Sequence, residues 1–210
     1  MYEIIPGILE KEWSEIERKI NLVKPFAKTV HIDVIDGKFA PNATFLDPKR
    51  SQKYTRDLFF EVHLMVEDPI QYLKPFADAG FKRFLGHIEK MSDQAEFVAQ
   101  GQLFGEVGLA IDGPTDLSAI KIPYEDLDCV LIMTIKAGES GQEFNSEYLK
   151  KVEILRSAQH YMNIEIDGGI NDQTIIEAKN AGATRFISTS FIFSGQDPQG
   201  QYDLLRSKVS

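Results

Sequence analysis

The sequence predicts an α/β fold, a single (β/α)8 TIM barrel. It holds eight short runs rich in β-branched and apolar residues, and amphipathic stretches with helical spacing lie between them. Strands that alternate with helices form a parallel sheet covered by helices, and eight such units favour closure into a barrel over an open sheet. A chain of 210 residues can bury one full core, so we expect one domain, residues 1–210.

The predicted strands are short, and β-branched or aromatic residues dominate them. They cover residues 2–5, 29–34, 59–65, 83–87, 107–111, 129–135, 163–166 and 185–188. Several of them end at a turn signal such as Asp36-Gly37, Asp68-Pro69 or Gly168-Gly169.

The predicted helices cover residues 11–23, 70–79, 95–102, 148–157 and 172–180. In the first of them Trp13, Ile16 and Ile20 recur at helical spacing, and Pro25 ends it. The last follows Asn171, a good N-cap residue, and ends before Gly182.

Composition excludes several classes of protein. The net charge is −9 and no run is rich in Lys or Arg, which argues against binding to nucleic acid or to an anionic membrane surface. The single cysteine, Cys129, lies in an apolar run and cannot form a disulfide within the monomer. The amino terminus lacks the pattern of a signal peptide, and no apolar run is long enough to span a membrane. We therefore expect a cytoplasmic protein.

Three predicted strands end in side chains that can ligate a metal. They are His31 and Asp33 on the second strand, His63 on the third and Asp167 on the seventh. Residues two apart on a strand share a face, and active sites of (β/α)8 barrels lie at the carboxyl ends of the strands. Two imidazoles and two carboxylates at one rim can bind a divalent cation, and they can also move protons on either side of a bound carbon.

Neutral imidazole together with carboxylate suits Zn, Fe, Mn or Co better than calcium. Taken singly, a strand histidine is more often a hydrogen-bonded core residue, and an aspartate before glycine is more often a turn residue. The joint pattern favours a metal site. A third strand-end histidine, His87, together with Glu89 is expected to support it, whereas His160 is expected at the surface.

Segments rich in glycine, serine and threonine follow the last three strands. They are Gly138, Glu139, Ser140 and Gly141 after the sixth, Gly168 and Gly169 after the seventh, and Thr189 and Ser190 after the eighth. Each loop alone is compatible with ordinary turn chemistry. Barrels often bind phosphate with the loops after strands seven and eight, where glycine lets backbone N–H groups approach an anion. The combination favours a phosphate site.

Residues 31–42 read His-Ile-Asp-Val-Ile-Asp-Gly-Lys-Phe-Ala-Pro-Asn. This segment resembles the signature H-x-D-x-M-D-G-x-F-x-P-N of the ribulose-phosphate 3-epimerase family. Residues 62–66, 108–111, 133–142 and 164–170 resemble that family's third, fifth, sixth and seventh strand motifs, so the likeness covers nearly the whole chain.

The resemblance implies a cytoplasmic, homo-oligomeric isomerase that acts on a phosphorylated ketose with one divalent metal ion. It implies that His31, Asp33, His63 and Asp167 bind the metal, and that Asp33 and Asp167 form the acid–base pair. It also implies that Met65 and Met133 line the substrate face. The phosphate would be held by Gly138, Glu139, Ser140, Gly141, Gly168, Gly169, Thr189 and Ser190.

Several positions depart from the family pattern. Gly7 replaces a serine that contacts substrate, Ile35 replaces a methionine, and Thr189 replaces a glycine. Lys136-Ala137 and Glu139-Ser140 also differ from it. Gly7 and Ile35 are expected to remove bulk and so to admit another sugar, such as the six-carbon allulose 6-phosphate. A metal-dependent hydrolase and a non-catalytic sugar-phosphate sensor remain alternatives.

Overall fold

The computed structural model describes residues 2–138 and 142–210 of the chain. Its eight strands are all parallel to their neighbours and close into a barrel in chain order. They are β1 (Glu3–Ile8), β2 (Thr29–Ile35), β3 (Phe59–Met65), β4 (Arg83–His87), β5 (Glu106–Ile111), β6 (Cys129–Met133), β7 (Asn163–Asp167) and β8 (Arg185–Ser188). The predicted (β/α)8 barrel is confirmed.

Two strand boundaries differ clearly from the prediction. β1 continues through Pro6 to Ile8, because Pro6 pairs with Ser188 of β8 and Ile8 with Ile32 of β2. β6 ends at Met133 rather than at residue 135. There the chain leaves the sheet, since the Thr134 carbonyl accepts from the amide of Asn145 on the following loop.

The α-helices of the described part are α1 (Trp13–Val23), α2 (Ile70–Asp78), α3 (Gln94–Gln102), α4 (Leu149–Ala158), α5 (Thr174–Ala181), α6 (Ser190–Phe193) and α7 (Pro198–Val209). The first five confirm predicted helices, but α6 and α7 were not predicted. The connections after β2 and β5 contain 3-10 turns in place of an α-helix, at Pro48–Lys53, Leu117–Ala119 and Tyr124–Asp126. No helix within the described ranges has both the length and the hydropathy of a membrane-crossing segment.

Helix α5 illustrates how the predicted capping residues begin and end a helix. The Asn171 side-chain oxygen accepts hydrogen bonds from the amides of Gln173 and Thr174 at 2.8 and 3.0 Å, which satisfies free N–H groups of the first turn. Gly182 ends the helix with φ of 114°, a left-handed conformation that glycine adopts without steric cost. The loop that carries Gly168 and Gly169 is thus joined to a well-capped helix.

Alternation along each strand divides the core in two. Outward-facing residues such as Val62 and Ile166 pack against the helices, whereas Ile5, Leu85, Leu131 and Ile187 fill the middle of the barrel interior. Polar and charged side chains lie above and below this apolar middle. The interior therefore has an upper end, at the carboxyl ends of the strands, and a lower end, at their amino ends.

Two further expectations are confirmed by burial. Cys129 is a free thiol buried inside the barrel, and burial raises its pKa well above the usual range, so it behaves as a small apolar residue. His160 is exposed.

Candidate active site

Strands β2, β3 and β7 bring four polar side chains together at the upper end, and we call His31, Asp33, His63 and Asp167 the upper cluster. Their ligand atoms all lie within 4.8 Å of one another. The register pairs Asp33 with His63, and His63 Nδ1 lies 2.9 Å from Asp33 Oδ1 and 3.5 Å from Asp167 Oδ2. His31 Nε2 lies 3.2 Å from the same Asp33 oxygen.

Burial and mutual charge set the acidities in the upper cluster. Burial alone raises the pKa of Asp33, but His31 and His63 outweigh it and hold the pKa well below its usual range. Burial lowers the pKa of both imidazoles, and the neighbouring carboxylates outweigh this too, so both histidine pKa values are raised. The imidazoles and Asp33 therefore stabilise each other's charged forms. A metal ion would bind the neutral imidazoles, so its affinity would depend on pH.

The donor set fits one divalent cation. Tetrahedral coordination at about 2.1 Å separates neighbouring ligand atoms by roughly 3.4 Å. Three pairs in the upper cluster are 2.9 to 3.5 Å apart, and all of its ligand atoms lie within 4.8 Å of one another. His31 is oriented from behind, because its Nδ1 lies 2.6 Å from Glu61 Oε1 and leaves Nε2 free to face the cluster. Such an outer carboxylate is typical of metal-binding histidines.

His87 and Glu89 lie beside the upper cluster, as expected. The rings of His63 and His87 stack with centroids 4.8 Å apart, and His87 Nδ1 lies 2.9 Å from Glu89 Oε2. Glu89 in turn accepts from the Asp112 amide and the Thr115 hydroxyl, and its pKa is lowered to about 2 because these bonds and His87 outweigh its burial. This chain of contacts restricts the tilt of the His63 ring.

A cleft opens above the upper cluster. Its wall includes both aspartates and most of the predicted substrate-contacting residues: Asp33, Met65, Met133, Gly138, Asp167, Gly168, Gly169, Thr189 and Ser190. It also includes Leu9, Ile135, Ile170 and Ile187, which the sequence did not single out. These four add an apolar surface that is complementary to the carbon face of a small molecule.

Two glycines after β7 need their special backbone. Gly168 and Gly169 have φ of 114° and 68°, and a Cβ on Gly168 would lie 2.5 Å from a side-chain carbon of Ile135. Thr134 fixes this loop, because its hydroxyl donates to the Gly168 carbonyl. The loop amides can therefore approach a bound anion closely. The predicted phosphate contacts Glu139, Ser140 and Gly141 lie outside the described residues.

The lower end holds a second charged group, which we call the lower cluster: Glu61, Arg83, Glu165 and Arg185. Arg83 makes a direct ion pair with Glu61 and bonds Glu106 at 2.7 Å, while Arg185 Nη1 lies 3.7 Å from Glu165 Oε2. His31, Glu61 and Glu165 could by position hold a cation, but Arg83 already pairs directly with Glu61, and Arg185 lies beside Glu165. We assign no metal to the lower cluster.

Comparison with known proteins identifies the family. A model of the ribulose-phosphate 3-epimerase family matches residues 3–193. The chain belongs to this family. The ribulose-phosphate 3-epimerase of Schizosaccharomyces pombe is 33% identical over 213 residues, which covers 99% of this chain and 93% of that protein. The cytoplasmic isoform of ribulose-phosphate 3-epimerase from Oryza sativa subsp. japonica is 32% identical, with coverage of 99% and 94%.

Solved structures share the fold at low sequence identity. The 3-hexulose-6-phosphate synthase of Salmonella typhimurium superposes with a TM-score of 0.73 at 14% identity, covering 99% of this chain and 98% of that one. The 3-keto-L-gulonate-6-phosphate decarboxylase of Vibrio cholerae gives 0.74 at 12% identity, with coverage of 99% and 97%. Likeness at this level supports the barrel alone.

The structure corrects one expectation about departures from the family pattern. Gly7 was expected to remove bulk from the site, but the space beside it is filled, since a Cβ built there would meet Thr189 Oγ1 at 2.3 Å and Ile187 Cγ2 at 2.8 Å. Ile35 is fully buried in the barrel interior. At Gly7, therefore, no room for a larger sugar is gained.

Proposed function

We propose that this member of the ribulose-phosphate 3-epimerase family inverts C3 of a ketose phosphate, converting D-ribulose 5-phosphate to D-xylulose 5-phosphate. The observation that carries the proposal is the pair Asp33 and Asp167. Both carboxylates line the same cleft, and both belong to a cluster with two histidines whose ligand atoms lie within 4.8 Å of one another. One aspartate, as a carboxylate, can accept a proton while the other, as a carboxylic acid, donates one.

His31, Asp33, His63 and Asp167 would hold one divalent cation, which we propose to be Zn, Fe, Mn or Co. When bound, such an ion acts as a Lewis acid that stabilises negative charge on the ketone oxygen and the neighbouring hydroxyl oxygen of the substrate. The remaining chemistry belongs to the protein's own side chains.

A proton next to a ketone is weakly acidic, so its removal needs a positioned base. Asp33 is held ionised by His31 and His63 and is available as a carboxylate. We assign removal of the C3 proton to one aspartate and return of a proton on the opposite face to the other aspartate. The reaction then passes through a cis-enediolate, and the configuration at C3 is inverted. The buried side chains of Met65 and Met133 line the cleft and keep water from the carbanionic carbon.

The phosphate would lie against the loops after β6, β7 and β8. Gly168 and Gly169 supply backbone amides, Thr189 and Ser190 supply hydroxyls, and Gly138 belongs to the same wall. We include Glu139, Ser140 and Gly141 of the loop after β6 in the proposed contacts. Amide dipoles can bind an anion without lysine, so a net charge of −9 does not oppose such a site.

Solvent exchange tests the proposed reaction. The protein is loaded separately with Zn, Fe, Mn or Co and incubated with D-ribulose 5-phosphate in deuterated water. We expect D-xylulose 5-phosphate with one deuterium at C3, detected by NMR. The same assay with allulose 6-phosphate tests the six-carbon alternative, and faster exchange of that sugar would reassign the substrate. Failure of every ketose phosphate to exchange C3 would refute the epimerase and favour the hydrolase or the sensor.

We also propose a cytoplasmic homo-oligomer. The family resemblance supports the oligomer, and one relative is by name a cytoplasmic isoform. Size-exclusion chromatography with light scattering tests the oligomer, and a mass equal to the 23.7 kDa chain would contradict it.

A further inference from the structure

The first and last strands of the barrel meet beside the cleft. Pro6 pairs with Ser188, so Gly7 and Thr189 are the next residues along each strand. Ile5 and Leu9, two residues on either side of Gly7, both face the barrel interior. By strand alternation the missing side chain of Gly7 would point there as well.

The hydroxyl of Thr189 occupies that interior position. A Cβ built on Gly7 would lie 2.3 Å from Thr189 Oγ1, and a serine hydroxyl at position 7 would lie one bond further along. Position 7 and position 189 therefore compete for one small volume. This chain has glycine at position 7 and threonine at position 189.

Nothing in the backbone of Thr189 requires glycine. Its φ and ψ are −100° and −75°, at the edge of the right-handed region, and the negative φ is open to residues with a side chain. Thr189 is half-buried and lines the cleft together with both aspartates. Within residues 2–138 and 142–210, no side-chain hydrogen bond engages its hydroxyl, which is therefore free to bond a molecule in the cleft.

We propose that the Thr189 hydroxyl is a substrate-positioning group that hydrogen-bonds an oxygen of the bound sugar phosphate from the β8 side, and that Gly7 is required to make room for it. The inference rests on the proposed function, because the ligand is the ketose phosphate of that reaction. The proposal also links the two positions, because a side chain added at position 7 requires a smaller residue at position 189.

Two variants at position 189 isolate the hydroxyl. Thr189→Val keeps the shape and removes the hydroxyl, and we expect kcat/KM for D-ribulose 5-phosphate to fall roughly tenfold, as the loss of one hydrogen bond implies. Thr189→Ser keeps the hydroxyl and should stay within about threefold of the wild type. Equal kcat/KM for the valine and serine variants would overturn the proposal.

Reciprocal variants test the shared volume. Gly7→Ser alone forces a side chain against Thr189 and should lower both the melting temperature and kcat/KM. The double variant Gly7→Ser with Thr189→Gly moves the hydroxyl to β1 and should recover most of both. A double variant no better than Gly7→Ser would overturn the competition for one volume.

Binding measurements test the Thr189 contact independently of the epimerase reaction. In the Asp167→Asn background, dissociation constants for D-ribulose 5-phosphate are measured by calorimetry with Thr, Ser or Val at position 189. Weaker binding of the valine form alone supports the hydroxyl contact, even if the protein with Asp167 intact epimerises no ketose phosphate, a failure that would refute only the proposed function. Equal affinity for the three forms, or no binding by any, would refute the contact.

Discussion

The two ends of the barrel interior supply different counter-charges to their buried carboxylates. In the lower cluster Glu61 and Glu165 face the guanidinium groups of Arg83 and Arg185. Among the described residues, the ion-pair partners of Asp33 and Asp167 in the upper cluster are imidazoles, whose positive charge depends on bound protons. The lower end therefore carries permanent cations, whereas the positive charge at the upper end can change.

This difference separates a structural site from a candidate reactive one. A buried carboxylate without a counter-charge is costly, and the protein meets that cost at the lower end with arginines that stay charged at any working pH. At the upper end the counter-charge is exchangeable. Exchangeable charge is what acid–base chemistry on a bound ligand requires.

The largest effect is expected from neutralising an upper carboxylate. Asp167→Asn removes a proton donor or acceptor, and kcat/KM should fall by about 10²–10⁴-fold with little change in circular dichroism. The matched control is Glu165→Gln, two residues earlier on the same strand and face but in the lower cluster, which should keep activity within a few-fold. Asp167→Asn activity above a tenth of wild type after metal reloading would contradict the assignment.

The next effect is on stability and belongs to the lower end. Arg83→Met leaves Glu61 buried beside Glu165 without its ion pair, and the free energy of unfolding should fall by about 3–5 kcal/mol in denaturant titrations. Lys74→Met removes an exposed partner of Asp78 and should change nothing measurable. If both variants lose the same amount, the lower cluster does not have the structural role assigned to it.

Removal of the metal should lower thermal stability through the upper cluster and not through the lower cluster. A ligand present at a hundred times its dissociation constant stabilises the folded state by about 2.7 kcal/mol, so chelation should lower the melting temperature by roughly 5–10 °C. Asp167→Asn should show a smaller shift on chelation, and Arg83→Met should show the full one. A full shift in Asp167→Asn would mean that the ion binds elsewhere.

The smallest effect is a pH dependence of stability from Glu165. Burial and the neighbouring Glu61 charge raise its pKa from 4.5 to about 7. Between these values the folded chain binds more protons than the unfolded one, so this group's contribution to stability falls as pH rises from about 4.5 to 7 and is constant above that. Glu165→Gln should flatten that slope in unfolding titrations at pH 5 and pH 8. An unchanged slope would show that Glu165 does not titrate there.

Much of the fold could be predicted because each strand is a short run of β-branched and apolar residues that is visible in the local sequence. The missed helix α7 also had local signals: Asp197 caps it by accepting from the Gly200 amide, and Tyr202, Leu205 and Val209 are its buried face. The segments after β2 and β5 are different. They fold as 3-10 turns although they had room for a helix, and that outcome depends on packing which no local pattern reports.

The upper cluster could be predicted as a group because all strands of a parallel barrel end at one rim. The arginines of the lower cluster were missed, although Arg83-x-Leu85-x-His87 shows the same alternation that placed His63. The contact between Gly7 and Thr189 could not be predicted, since it depends on how β1 and β8 align across the closure of the barrel.

The closure of the barrel between β1 and β8 affects the order in which the protein folds. β1 and β8 join the beginning of the chain to residues 185–188, so this pairing spans the longest loop in the sheet and is expected to form late. A chain still emerging from the ribosome can build seven strands but not the wall that Thr189 contributes. Docking of β8 onto β1 thus decides when the cleft first becomes competent to bind its ligand.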